Sequence, residues 1–292
     1  MASGGVTHNR SLLFVLLAAM GAFYLGYGVA NGIGFDLWTS GRLVFRSGPP
    51  RLEPTLAVGA LAGAFVGVRL AGWRGLLGAM VLPAVGVITT LQYPVNGMIE
   101  CARGNAAYCA AAPDLDFVIP QLWLVPGFVL GAIAALIFRP RIPFRGELGA
   151  AGVLALAGPI RYLEAVLPQY VGFLRGPNSE LLYRSEMTVV EIVTLLLAAL
   201  FAAMFLMRHA TRPRRAGVVL ALAVAVLALP QLTYQLRFPV SEPIELISRL
   251  SGFLAAALIL VVTDFLGRAR GSKSEPARAL RHAKNVADLR AP

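Results

Sequence analysis

Leu181-Leu-Tyr-Arg-Ser185, six residues ahead of Glu191, echoes Leu43-Val-Phe-Arg-Ser47, six residues ahead of Glu53. One ungapped offset of 138 aligns the two stretches, and it also pairs Tyr24-Leu25 with Tyr162-Leu163 and Gly34-Phe35 with Gly172-Phe173. That makes 8 identities between 24–53 and 162–191, where ordinary residue frequencies give roughly two. A second echo follows at an offset of 145: Leu-Gln-Tyr-Pro-Val-Asn-Gly-Met-Ile-Glu (91–100) against Leu-Arg-Phe-Pro-Val-Ser-Glu-Pro-Ile-Glu (236–245). Both echoes fall in the same order, so the chain reads as an internal duplication.

The repeated unit is a membrane unit. The chain is 57% hydrophobic and 14% charged, with a mean hydropathy of +0.70, outside the range of soluble globular proteins. Runs of about twenty apolar residues are long enough to cross a hydrocarbon core. In lipid the backbone must bond to itself, so these runs are expected to be helices. The expected fold is an all-α polytopic membrane protein of about eight transmembrane helices, at 11–34, 55–72, 74–96, 117–138, 148–172, 187–208, 216–236 and 245–266. The first run follows Arg10 as in a signal peptide, but it is too long and has no clear cleavage site.

With a cytoplasmic N-terminus, 17 of the 26 basic residues fall on inner segments, which places both termini inside. The net charge of +11 is thereby explained by orientation, and no nucleic-acid partner is called for. Each set of four spans then starts inside. The two four-helix halves are expected to be parallel repeats, with 1–147 as the first, 148–266 as the second and 267–292 as a basic cytoplasmic tail. That tail reads either as a short amphipathic helix on an anionic lipid surface or as a frayed solvated end. Cys101 and Cys109 fall in an outer loop, where a pair can close a disulfide. Gly127-Phe128 echoes Gly252-Phe253 at an offset of only 125, so the disulfide loop, about 100–117, reads as an insertion in the first half.

Charge inside a bilayer is costly, so Arg161 and Glu164, one turn apart near the middle of the fifth span, are the first site candidates. A buried ion pair that locks packing is the alternative. Gly158-Pro159 should bend the helix just before them, and Pro168-Gln169-Tyr170 continue a polar, broken stretch. Glu53 and Glu191 read as acidic residues near outer helix starts, where the dipole favours them. The sharper reading turns Glu191 towards a cavity with Arg161 and Arg237. Glu245 and Arg249 form an ordinary helical pair. Gln231, Tyr234 and Gln235 give the seventh span a polar end suited to a headgroup or to interhelical hydrogen bonds. The three histidines, His8, His209 and His282, all fall on the inner side, away from this site. No metal-ligand spacing, P-loop, nucleophile elbow or C-x-x-C motif is present, so no metal or cofactor is expected.

From the fourth span onward the order of features resembles the prolipoprotein diacylglyceryl transferases of bacterial inner membranes. Pro126-Gly-Phe-Val-Leu-Gly131 with its basic end at Arg139 and Arg141 is similar to that family's His-Gly-Gly helix, with Pro126 at the histidine position. Gly158-Pro-Ile-Arg161 takes the place of its Gly-x-x-Arg motif, Ser185 to Glu191 that of Pro-Ser-x-Leu-Tyr-Glu, and Arg237-Phe-Pro239 resembles Phe-Arg-x-Pro. Arg161, Glu191 and Arg237 carry over residue by residue. The resemblance implies an inner-membrane transferase of lipoprotein biosynthesis that takes phospholipid in an outer-leaflet cavity. Arg161 and Arg237 would bind the phosphate, with Tyr162, Gln169, Gln231 and Tyr234 around it, and Glu191 or Glu164 would act on the acceptor. A transporter with duplicated halves and a non-catalytic scaffold subunit are the alternatives; no particular protein partner is indicated.

Overall fold

The computed structural model describes residues 4–39, 53–104, 109, 119–160, 179–237 and 243–288, and every regular element among them is helical. In chain order these are α1 (Gly4–Thr39), α2 (Glu53–Ala71), α3 (Trp73–Ala102), α4 (Leu124–Ile137), α5 (Arg145–Ala155), α6 (Ser179–His209), α7 (Pro213–Arg237) and α8 (Pro243–Asp288). A 3-10 turn, Ile119–Trp123, leads into α4.

Among the described residues five helices are long and apolar enough to cross a membrane, at Leu12–Ile33, Pro54–Ala71, Val189–His209, Pro213–Pro230 and Leu246–Arg268. They match the first, second, sixth, seventh and eighth expected spans. The third and fourth are shorter apolar stretches, Trp73–Ile88 and Gln121–Ile137, and the second part of the fifth, from residue 161 on, lies outside the described residues. The α-helical part of the fourth is only about 21 Å long. The 3-10 turn before it rises roughly 10 Å more, which brings the segment close to a hydrocarbon core of about 30 Å. Pro126 is tolerated because it sits in the first turn of α4, where the N–H has no helical partner anyway.

Small residues decide how the helices meet. Lipid is as apolar as leucine, so transmembrane helices gain most from close van der Waals approach. A methyl group added to Gly127 or Gly131 of α4 would lie 2.7 or 2.9 Å from Ala60 or Ala64 of α2. Gly21 of α1 and Gly152 of α5 lie against each other's helix backbone, which joins the first helices to the later ones. The larger core cluster gathers Ala151 and Leu154 of α5, Ala198 and Ala202 of α6, Leu220 of α7 and Ala255 of α8.

The α2–α3 connection is one residue, Gly72, at φ +60, a left-handed turn that glycine takes without strain. Phe14, Arg74 and Arg145 border common hollows at this level, together with the α6–α7 turn, and Arg214 of α7 pairs with Asp264 of α8, 3.5 Å apart. The turns expected on the inner side thus gather at one end of the bundle, here called the basic end. Cys101 and Cys109, with Cα atoms 4.7 Å apart, are disulfide-bonded at the opposite end of α3.

Four local readings change. The third helix runs on to Ala102, so Cys101 lies in its last turn and only Cys109 belongs to the following segment. Leu181–Ser185 is helical, because α6 starts at Ser179 rather than near 187. The second echo pairs unlike structures: 91–100 lies inside α3, whereas 236–245 contains the end of α7 and the start of α8. The tail is neither frayed nor a separate short helix, since α8 continues unbroken through Asp288.

Candidate functional site

Helix α5 stops where its sequence requires. Pro159 has no N–H for the carbonyl of Ala155, and its ring crowds that carbonyl. The regular helix ends at Ala155, the Leu156 N–H turns back to Val153 O at 3.2 Å, and helix resumes at 157–160. The bend expected from Gly158-Pro159 is therefore a break one turn earlier, leading towards Arg161.

Between this broken helix and α6 lies a groove of about 560 Å³. Val153, Leu156 and Ile160 form one wall, and Leu197, Phe201 and Phe205 of α6 the other. It is open along its side: Ile160, Leu197 and Phe201 remain 43%, 49% and 55% exposed. At one end it reaches Ile160 and the buried Thr194; at the other it reaches Arg208 and His209. His209 is held by rings, with the Phe205 and Phe14 centroids 4.4 and 5.6 Å away. The same histidine borders a second hollow of about 610 Å³, lined by Arg145, Glu147, Arg212 and Arg215.

Glu191 is partly buried on α6, one turn before Thr194 and on the same face. Its expected place at a helix start is corrected: twelve residues of α6 precede it, well past the first turn in which the dipole acts. Glu53, by contrast, is the first residue of α2, and the dipole account fits it. Gln231, Tyr234 and Arg237 lie on the last two turns of α7, at the end away from the basic turns. Arg161, Tyr162, Glu164 and Gln169 lie outside the described residues. Ile160 and Thr194 nonetheless bring the approach to Arg161 and the turn after Glu191 to one end of one groove.

Sequence reasoning missed the basic end of that groove, because its arginines were already accounted for as orientation signals. The signal was present: Leu197, Phe201, Phe205 and Arg208 follow one face of α6 and change from apolar to cationic at the helix end. Among the described residues no group of three His, Cys, Asp or Glu side chains could hold a metal ion. No protein family, characterised protein or solved structure matches the chain.

Proposed function

We propose that this is a lipid-handling membrane protein, resembling the diacylglyceryl transferases, that admits phospholipid sideways between α5 and α6 and transfers a group derived from it. The observation that carries the reading is the lateral groove, which leads from the exposed flank of Phe201 to Ile160, the residue before Arg161 in sequence, and to Thr194, one turn after Glu191 on α6. A guanidinium near mid-bilayer needs a partner, and a lipid phosphate is the partner a lateral groove would deliver. In the proposed reaction Arg161 and Arg237 hold the phosphate through planar, bidentate contacts. The acceptor attacks the lipid glycerol carbon, the carbon–oxygen bond to phosphate breaks, and the departing anion stays paired with the arginines. Glu191 or Glu164 takes the acceptor's proton. Two parallel four-helix halves, in a bacterial-type inner membrane with both termini cytoplasmic, complete the proposal. The gathering of basic turns at one end supports that orientation.

The test is lipid retention by native mass spectrometry alongside transfer from a labelled phospholipid. Arg161→Lys should lose retention at this site and at least 100-fold in transfer while the protein still folds. Arg161→Leu with Glu164→Leu should be stable and inactive. Full function in that double variant would make the pair a packing device and end the assignment. Uptake of substrate across vesicles without transfer would favour the transporter reading, to which a broken helix is also suited.

A further inference from the structure

The groove does not end where the proposed reaction needs it. It continues for about 21 Å along α6 from Thr194 to Arg208, further than the half-thickness of roughly 15 Å of one leaflet's hydrocarbon. At Arg208 and His209 it meets the second hollow, because His209 borders both. One space is walled by Leu, Ile, Val and Phe; the other is walled by Arg145, Arg212 and Arg215 with a single carboxylate, Glu147. The ion pairs described at this end join Arg214 and Arg268 to Asp264 and leave Arg208, Arg212 and Arg215 uncommitted among the described residues.

We infer that this junction is a second lipid site: an anionic phospholipid of the leaflet facing the basic end sets its phosphate beside His209, between Arg208 and Arg212, and lays one acyl chain in the α5–α6 groove. Charge complementarity selects the head, since three arginines outweigh one glutamate. The open flank at Leu197 and Phe201 selects a membrane lipid over a soluble anion, because the chain enters sideways from the bilayer. A free phosphate would fill only the polar hollow, and a neutral lipid would leave the arginines unpaired. His209, fixed against Phe205 and Phe14, keeps the two spaces in register. Orientation alone asks only that the arginines lie on one side; it does not ask that they border the mouth of an apolar groove.

The experiment uses the full chain in neutral detergent, where membrane orientation has no effect. Native mass spectrometry compares phosphatidylglycerol with phosphatidylcholine of identical chains, and glycerol 3-phosphate serves as a chainless anion. Phosphatidylglycerol should be retained over both. The double change Arg208→Gln with Arg212→Gln, at exposed positions, should lower that retention on the order of 20-fold and leave phosphatidylcholine unchanged. Leu197→Trp, which fills the groove from an exposed position, should lower retention of both lipids. Equal retention of the two lipids, or no loss in the double arginine variant, overturns the site. Binding of glycerol 3-phosphate as tight as that of phosphatidylglycerol reduces it to an anion pocket and also overturns it. The Arg161→Leu, Glu164→Leu protein should keep this lipid, so failure of the proposed reaction and failure of this site are read separately.

Discussion

Helix α2 aligns in sequence with the last 19 residues of α6, and the two differ in one face. At the offset of 138, Ala60 and Ala64 of α2 fall on Ala198 and Ala202 of α6. Both pairs do similar work: the first meets Gly127 and Gly131 of α4, and the second shares a core cluster with Ala255 and Ala256 of α8. The next face differs at every turn. Gly59, Gly63 and Gly67 of α2 correspond to Leu197, Phe201 and Phe205 of α6. The glycines admit α1 and α3 to near backbone contact, with Phe23 and Tyr27 on one side and Ala79 and Gly75 on the other. The large side chains hold neighbours off, and that face becomes the wall of the groove. The glycine face of α2 is closed against its neighbours and the matching face of α6 is left open, and the candidate site lies along the open one.

The comparison is most exposed to failure at the glycine nearest the turn. In Gly67→Leu, the new side chain meets the Gly75 carbonyl, part of a backbone that cannot retreat without opening the α2–α3 turn. Destabilisation of about 3 kcal/mol or more is expected, read from unfolding in denaturing detergent. The matching change Phe205→Leu should cost only about 1 kcal/mol, chiefly the ring contacts to Phe14 and His209. Similar losses at both positions would mean that α6 is packed as tightly as α2 and that no groove exists.

The disulfide lies at the end of α3, away from the groove. Cys101→Ser with Cys109→Ser opens a short loop and should cost about 2 kcal/mol. Lipid retention should be unchanged, because neither cysteine lines the groove. Loss of retention would make the loop part of the site. The smallest effect sharpens the comparison further. Gly63→Ala places a methyl 2.9 Å from Ala79 Cβ and should cost about 1 to 2 kcal/mol. Phe201→Ala, at the aligned and exposed position, should change stability by less than about 0.5 kcal/mol while altering which lipids are retained.

Much of this was legible from local rules. The length of an apolar run, the place of Arg and Lys between runs and the missing N–H of Pro159 act over one helix or less, so they can be read without knowing neighbours. Glu191 was misread because the start of α6 is not marked by an apolar boundary: Ser179 to Glu186 is polar yet helical, and the start was sought where hydropathy rises. The tail failed for the same reason, since α8 keeps its helix long after its apolar residues end.

By itself the sequence determined an all-helical membrane chain, with its basic turns grouped on one side, its break before Arg161 and its paired cysteines, because each depends on composition or on residues a few positions apart. Only the tertiary structure decided that Gly63 would be a contact and Phe201 a groove wall. An apolar residue on a membrane helix carries no mark of whether it faces lipid or protein, since both are equally free of water. The sizes of the side chains that meet it from other helices settle the matter, and those lie far away in the chain.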